Sequence, residues 1–245
     1  MSYLNNMERL QKVIANAGVC SRRQAEELII ENKVKVNDKI VNTLGTKVNP
    51  EDKIEVDGKV ISQEQKVYLL FNKPKNCVST LSDDRGRPTV IDYLKDVKER
   101  VYPIGRLDFD TTGVLLFTND GDFANSLAHP SNDIDKVYIA TVKGVVTIEQ
   151  LKPLVEGVEI DFRKTAPAKV RIIRANQEKD YTVIEIIIHE GRNRQIKKMF
   201  DAINIRVMKL NRDKFAGLTV VGLEPGQYRH LTKEEIDNLR KEIKA

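Results

Sequence analysis

One run of apolar residues, Val114–Phe117, constrains the fold of this 245-residue chain more than any other feature. Gly113 precedes the run, and an Asn-Asp-Gly turn at residues 119–121 closes it after Thr118. A short, continuous apolar run that ends in turn residues is typical of a strand buried on both faces. We therefore expect the main core to form around this strand, and the segment directly before it to be anchored to that core.

The anchored segment, Gly105–Gly113, carries Arg106, Asp108 and Asp110 between its two glycines. A loop held against a core presents its charged groups at fixed positions, often at a cleft. Asp108 is therefore the candidate for chemistry. For a single loop carboxylate, a structural role in a turn or in an ion pair with Arg106 is more common than a catalytic role. Features elsewhere in the chain are needed to distinguish the structural role from the catalytic one.

Length and cysteine usage limit the class of protein. A chain of 245 residues can form one large domain and one small domain. Cys20 and Cys77 are far apart and match neither a disulfide framework nor a zinc site, which suits a reducing compartment. The sequence has no long apolar stretch and no signal-peptide pattern at its start. We expect a soluble, cytoplasmic protein that does not enter a membrane.

Positive charge is concentrated in one part of the chain. The formal net charge is +5 and the isoelectric point is about 9.0. His189–Lys214 contains eight Lys and Arg against three Asp and Glu, a local excess equal to that of the whole chain. Such clustering is expected where a protein contacts phosphate groups, although a solvated helix face is the alternative.

The amino-terminal segment carries two helical patterns in succession. Apolar residues at helical spacing begin at Leu10 and end before Gly18, a residue suited to a helix C-terminus. Ser21–Gln24 then has the form of a capping box, which opens a second helix. Arg22 and Arg23 occupy its first turn, where the helix dipole disfavours cations. Contact with phosphate would explain their position, and exposure to water is the alternative.

The pattern changes again after these helices. Short alternating strands with turn residues follow as far as Val60, and the polar stretch Ser62–Lys66 is typical of a linker. A buried strand then begins at Val67. The predicted division is a small domain at 1–62, a linker at 63–66 and a large domain at 67–245.

The large domain contains a strand, Lys136–Val142, with Tyr138 near its start, where packing alone would explain a tyrosine. A strongly β-branched strand, Thr182–Ile188, leads into a basic corner at residues 191–198. There, helical periodicity places Lys197 and Lys198 outside the apolar face of the next helix.

These motifs together resemble a known family. The Gly-Arg-Leu-Asp string at 105–108, the Lys-x-Tyr strand at 136–138 and the Gly-Arg-Asn-Arg-Gln-Ile-Lys corner at 191–197 resemble, in this order, the pseudouridine synthases that modify ribosomal RNA. Residues 8–62 resemble the alpha-L RNA-binding domain named after a small-subunit ribosomal protein. The Asn-Arg pair at 193–194 looks closest to the B type among the synthases that act on large-subunit ribosomal RNA.

The resemblance implies an α+β fold in which the small alpha-L domain precedes a catalytic domain built on a mixed, largely antiparallel β-sheet with flanking helices. It implies that Asp108 is the catalytic carboxylate, that Tyr138 stacks on the target base and helps to remove its carbon-bound proton, and that Lys197 pairs with Asp108. Many relatives have Arg where this chain has Lys197, and the two cations differ in geometry. No cofactor and no metal are implied, because the substrate supplies every atom. The implied RNA-binding residues are Arg9, Arg22, Arg23, Arg106, Arg192, Arg194 and Lys198.

The function expected from this resemblance is the conversion of one uridine to pseudouridine in a hairpin of large-subunit ribosomal RNA, either free or in a pre-ribosomal particle, by a monomer. Small-subunit ribosomal RNA is the alternative substrate. A non-catalytic RNA-binding assembly factor would share the cations but would not need Asp108. A metal-dependent hydrolase using Asp108 and Asp110 is disfavoured, because His129, His189 and His230 lack ligand spacing.

Overall fold

The computed structural model describes residues 7–244, so Met1–Asn6 and Ala245, which the predicted domain ranges include, lie outside the described residues. The chain divides into two compact units. The first comprises the chain up to Val67 together with Val97–Val101 and Asn119–Gly121. The second comprises Tyr68–Asp96, Tyr102–Thr118 and the chain from Asp122 onward. The domain limits at 62 and 67 stay predictions from the sequence.

The first unit has two helices followed by small antiparallel sheets, as the sequence patterns indicate. Ser21 accepts a hydrogen bond from the backbone N–H of Gln24, and the Gln24 side chain accepts one from Ser21, which completes the expected capping box. One sheet has the order β3-β2-β5-β6, and β1 pairs with β4. The elements are β1 (Glu8–Arg9), α1 (Leu10–Asn16), α2 (Arg22–Ile30), β2 (Val34–Val36), β3 (Lys39–Ile40), β4 (Lys47–Val48), β5 (Ile54–Val56) and β6 (Lys59–Val60).

The polar stretch at the end of this unit is held in place by hydrogen bonds. The backbone N–H of Val67 donates to Asn119 Oδ1 at 2.9 Å, and Asn119 Nδ2 donates to the carbonyl oxygen of Gln65 at 2.8 Å. Asn119 is buried. The asparagine of the predicted turn therefore fixes the chain where the sequence pattern indicated a linker.

The second unit is built on one large sheet. Its strand order is β13-β14-β10-β15-β9-β7-β17, with β16 paired to β15 and β8 paired to β9. The helical elements include two short 3-10 helices, Val90–Tyr93 and Pro130–Asn132. The remaining elements are β7 (Tyr68–Lys73), β8 (Tyr102–Ile104), β9 (Thr112–Thr118), α3 (Gly121–Ala128), β10 (Lys136–Lys143), α4 (Ile148–Glu156), β11 (Glu159–Ile160), β12 (Arg163–Lys164), β13 (Lys169–Asn176), β14 (Tyr181–Ile188), α5 (Gln195–Asp201), β15 (Val207–Phe215), β16 (Leu218–Thr219), β17 (Tyr228–His230) and α6 (Lys233–Lys244).

The sheet is mixed and largely antiparallel, as predicted. Among the paired strands of residues 7–244, β9 and β15 form the one parallel pair. β9 lies between β7 and β15, and every residue from Gly113 to Thr118 is buried, so the strand predicted from the apolar run is confirmed. Gly113 has a φ of 103°, and a Cβ there would overlap the carbonyl oxygen of Arg212. This glycine therefore permits the close approach of β9 and β15.

Side chains of α3 and α6 pack on the sheet. Phe123 and Leu127, four residues apart on α3, join a buried cluster that contains Leu70 and Leu116 of the sheet and Leu239 of α6. The core thus supports the start of β9, where the candidate loop is attached. Within residues 7–244, no helix combines the length and apolar character needed to cross a bilayer.

Candidate active site

The loop between β8 and β9 brings Asp108 next to a lysine of α5. Asp108 Oδ2 lies 3.3 Å from Lys197 Nζ. The same ammonium lies 2.5 Å from Oδ1 of Asp110. The Lys197 side chain is 11% exposed, whereas the side chain of Asp108 is 30% exposed and open to the cleft. One cation therefore faces two carboxylates that are separated by one residue in the chain.

Asp110 takes the closer position beside Lys197, which the sequence patterns did not indicate. Burial raises the pKa of the Asp110 carboxyl, but the hydrogen bond and charge of Lys197 outweigh burial and hold that pKa below its ordinary value. Asp110 is therefore ionised at neutral pH and competes with Asp108 for the lysine.

A cleft of about 670 Å³ opens beside the loop. Asp108 and Tyr138 both line it, and Tyr138 lies on β10 with 8% of its surface exposed. Other walls are formed by the polar loop at residues 78–87 and by the basic corner at 191–196. The cleft thus combines a carboxylate, an aromatic ring and several cations, which suits a flat polar ring attached to an anionic chain.

Lys73, at the end of β7, holds the loop that carries Asp108 through hydrogen bonds to the loop backbone. Its side chain is fully buried, and Nζ donates to the carbonyl oxygens of Pro74 and Thr111, each at 3.0 Å. A third carbonyl oxygen, that of Phe109, lies at 3.5 Å. Burial lowers the pKa of Lys73 to about 8. The ammonium therefore holds the backbone on both sides of Asp110.

A second brace comes from the polar loop at residues 78–87. Ser79 Oγ donates to the carbonyl oxygen of Leu107 at 2.8 Å and accepts from the N–H of Leu107 at 3.1 Å. The backbone N–H of Asn76 donates to the carbonyl oxygen of Phe109 at 2.8 Å. The residues on each side of Asp108 are thus hydrogen-bonded, which fixes the backbone that carries its carboxylate.

The cations predicted to contact RNA fall into three groups. Arg106 and Arg194 are exposed and line the cleft. Arg192 also lines the cleft, but it donates to the carbonyl oxygens of residues 163 and 164, at 3.1 and 2.7 Å, and Lys198 pairs with Asp161 at 2.6 Å. These two side chains fasten the β11–β12 hairpin to the corner. The third group consists of Arg9, Arg22 and Arg23, which are exposed side chains of the first unit.

Comparison with known proteins identifies the family. A family model described as RNA pseudouridylate synthase matches residues 67–202. The chain belongs to the RNA pseudouridine synthase family. An S4 domain model matches residues 8–54 of the synthase, which agrees with the small RNA-binding domain expected from the sequence.

Relatives resemble the synthase over nearly its whole length. It is 52% identical to the ribosomal large subunit pseudouridine synthase B of Bacillus subtilis, over 96% of each chain. It is 41% identical to an uncharacterized RNA pseudouridine synthase of Aquifex aeolicus, over 96% of this chain and 94% of the relative. A solved pseudouridylate synthase matches with a TM-score of 0.67 at 33% identity, covering 94% of this chain and 99% of that one.

Sequence reasoning overlooked Lys73 and Ser79 in this pseudouridine synthase. Lys73 follows a buried strand and precedes a proline, a position that is typical of a strand end. Alternation along β7 nevertheless places it on the same face as Phe71, so its inward direction could have been found. Ser79 gave no comparable signal, because its partner Leu107 lies far away in the sequence.

Proposed function

We propose that this pseudouridine synthase converts one uridine in a hairpin of large-subunit ribosomal RNA to pseudouridine, with Asp108 as the catalytic carboxylate. The observation that carries the proposal is the position of Asp108, which lies 3.3 Å from Lys197 and lines a cleft shared with Tyr138. The choice of large-subunit RNA is supported by the 52% identity to a relative named for that part of the ribosome. The proposal also includes a monomer that acts in the cytoplasm on free RNA or a pre-ribosomal particle.

In the proposed reaction, Asp108 assists cleavage of the bond between the ribose C1′ and N1 of uracil. Its carboxylate attacks C1′ or stabilises the positive charge that develops there, and both roles require the ionised form. Lys197, whose ammonium lies 3.3 Å from Asp108, orients that carboxylate. The detached base turns and forms a bond from its C5 to C1′ while any bond from Asp108 to C1′ breaks. The C5 proton then leaves, and N1 takes up a proton from water. The substrate supplies every atom, so the proposed reaction requires neither a cofactor nor a metal.

Tyr138 is proposed to stack against the target base and to help remove its C5 proton. The uridine must leave its own stack to reach the cleft, which costs a few kcal/mol and is easier in an RNA loop. Arg106 and Arg194 line the cleft and are available for phosphate contacts that offset this cost. Arg9, Arg22 and Arg23 are proposed as further RNA contacts of the small domain.

The test is release of tritium from transcripts that carry tritium at uridine C5. We expect release from large-subunit hairpins and from partly assembled particles, followed by recovery of pseudouridine after digestion of the RNA. Faster release from small-subunit transcripts would reverse the choice of ribosomal RNA. Tight binding without release from any of these RNAs would contradict the enzymatic proposal and favour an assembly factor.

A further inference from the structure

Arg212 is a buried cation that the proposed reaction leaves unused. It lies on β15 with 3% of its surface exposed, and its Nε donates to the carbonyl oxygen of Val114 at 2.7 Å. Its Nη2 atom is also buried and has no hydrogen-bond partner within residues 7–244. Arg212 lines the cleft. A buried donor without a partner is costly, and such groups in folded proteins are rare enough to require an explanation.

Lys136 lies beside Arg212 at the same end of the cleft. Its Nζ donates to the carbonyl oxygens of Ile134 and His189, at 2.9 and 2.6 Å, which uses two of its three N–H groups. The Phe215 ring centroid lies 5.7 Å from this ammonium and 4.9 Å from the guanidinium carbon of Arg212. One aromatic ring thus supports both cations.

The electrostatic environment of this pair favours an anion. Burial, and to a smaller extent the charge of Arg212, lower the pKa of Lys136 to about 8. Asp133, Asp135 and Glu190 raise that pKa by smaller amounts. Neither cation forms an ion pair with a carboxylate in the part of the chain that the structure describes. A negative group placed between the two cations would relieve their repulsion.

The strand register directs both cations to the same side as Tyr138. Arg212 is paired with Tyr138 across β10 and β15, and Lys136 lies two residues before Tyr138 on β10. Residues two apart on a strand share a face, as do directly paired residues on neighbouring strands. A ring that stacks on Tyr138 would therefore present an edge to Arg212 and Lys136.

We propose that Arg212 and Lys136 form a cationic floor of the cleft, which binds a carbonyl oxygen of the uracil and stabilises the negative charge that the base carries after it leaves the sugar. This inference rests on the proposed function. When the C1′–N1 bond breaks, its electron pair stays with the base and is shared by N1, O2 and O4. Asp108 meanwhile bonds to C1′ or stabilises its positive charge. The pair that later forms the C5–C1′ bond comes from the same anion, and any bond between Asp108 and C1′ breaks as C5 attacks, so the carboxylate is regenerated. The C5 proton then leaves and N1 takes up a proton from water, which completes an isomerisation without oxidant or reductant.

The position of Arg212 favours the base over the phosphates of the same nucleotide. Arg106 and Arg194 are exposed and line the cleft, where the RNA backbone can reach them. Arg212 is almost fully buried, so its ligand must enter the cleft completely. The flipped uracil is the part of the substrate that does so. Fixed donors in a site that excludes water stabilise a developing anion most strongly, which gives these cations an effect on the chemical step.

Single-turnover tritium release from uridine-containing RNA provides the first half of the test. We expect Lys136→Met and Arg212→Met to slow release by at least about 30-fold, because loss of one such donor commonly costs that much or more. RNA affinity should stay within about threefold, since the phosphate contacts remain. Lys209→Met removes an exposed lysine of β15 and should release tritium at the parent rate.

A change of leaving group provides the second half. Fluorine at C5 lowers the basicity of the departing uracil anion, so this anion needs less stabilisation. The cationic floor should therefore contribute less to the reaction rate with 5-fluorouridine than with uridine. The consumption of 5-fluorouridine is measured by chromatography of digested RNA. The factor by which Lys136→Met or Arg212→Met slows this consumption should be at least about fivefold smaller than the factor for uridine. Equal losses on both bases, unchanged rates, or a loss explained entirely by RNA affinity would overturn the inference. If Arg212→Met fails to fold, Lys136→Met alone decides the result. Inactivity of the parent protein would instead contradict the proposed function.

Discussion

Replacing Lys197 by Met tests the link between α5 and the loop that carries Asp108. The change removes the ammonium but keeps most of the side chain's volume. At 3.3 Å, the Lys197–Asp108 attraction is about 5 kcal/mol for an effective dielectric constant of about 20. Asp110 shares the ammonium and Asp108 is partly exposed, so we expect roughly half of that energy to be lost. A loss of about 2–3 kcal/mol corresponds to a 30- to 150-fold lower rate.

The assay is single-turnover tritium release, accompanied by thermal unfolding to verify that the variant folds. Lys197→Arg serves as the matched control, because it keeps the charge that faces Asp108, and we expect it to retain at least about a tenth of the parent rate. If Lys197→Met is folded and releases tritium within about threefold of the parent rate, Lys197 does not assist Asp108.

Stability measurements test three other contacts of the second unit. Lys73→Met removes the donor to the loop carbonyl oxygens. Chemical denaturation should show a free energy of unfolding lower by about 2 kcal/mol, because the lost hydrogen bonds outweigh the gain from no longer burying an ammonium. An unchanged value would contradict this support role. Gly113→Ala places a Cβ against the Arg212 carbonyl oxygen at a positive φ. We therefore expect the free energy of unfolding to fall by at least about 3 kcal/mol, or the variant not to fold. A melting temperature equal to that of the parent would refute the steric argument. The hydrogen bonds of Arg229 lower the pKa of Glu235 below its ordinary value of 4.5. The ion pair therefore stabilises the fold fully at pH values above 4.5, and this stabilisation is lost as the pH falls through the lowered pKa. Glu235→Gln should therefore reduce stability by less than about 1 kcal/mol at pH 7 and less still at pH 3, and an equal loss at both pH values would exclude the ion pair as the cause.

The elements of the fold could be predicted because local signals and tertiary packing agree. The apolar run Val114–Phe117 is short and ends in turn residues, which favours an internal strand buried on both faces, and β9 is such a strand. Ser21 and Gln24 specify the start of α2 through their own hydrogen bonds. Such signals lie within a few residues of each other, so they can be recognised without knowledge of the rest of the molecule.

The supports of the candidate site could not be found in this way. Lys73 becomes a loop support only because carbonyl oxygens from residues 109 and 111 are brought onto its ammonium. In the sequence, Arg212 is one of several cations of a basic segment. The register of β15 on β10 places its side chain in the cleft. In both cases the partner is distant in sequence and is set by strand pairing, which the composition of the segment does not reveal.

Tritium release by the parent protein and by Asp108→Asn on the same RNA tests the role of Asp108 most directly. The substitution keeps the shape of the side chain and removes the negative charge that the reaction requires. Asp110→Asn makes the same change two residues away, on the other carboxylate that contacts Lys197. We expect release by the parent, none above background by Asp108→Asn, and release within about tenfold of the parent by Asp110→Asn. Parent-like release by Asp108→Asn would contradict the assignment of Asp108 as the catalytic carboxylate.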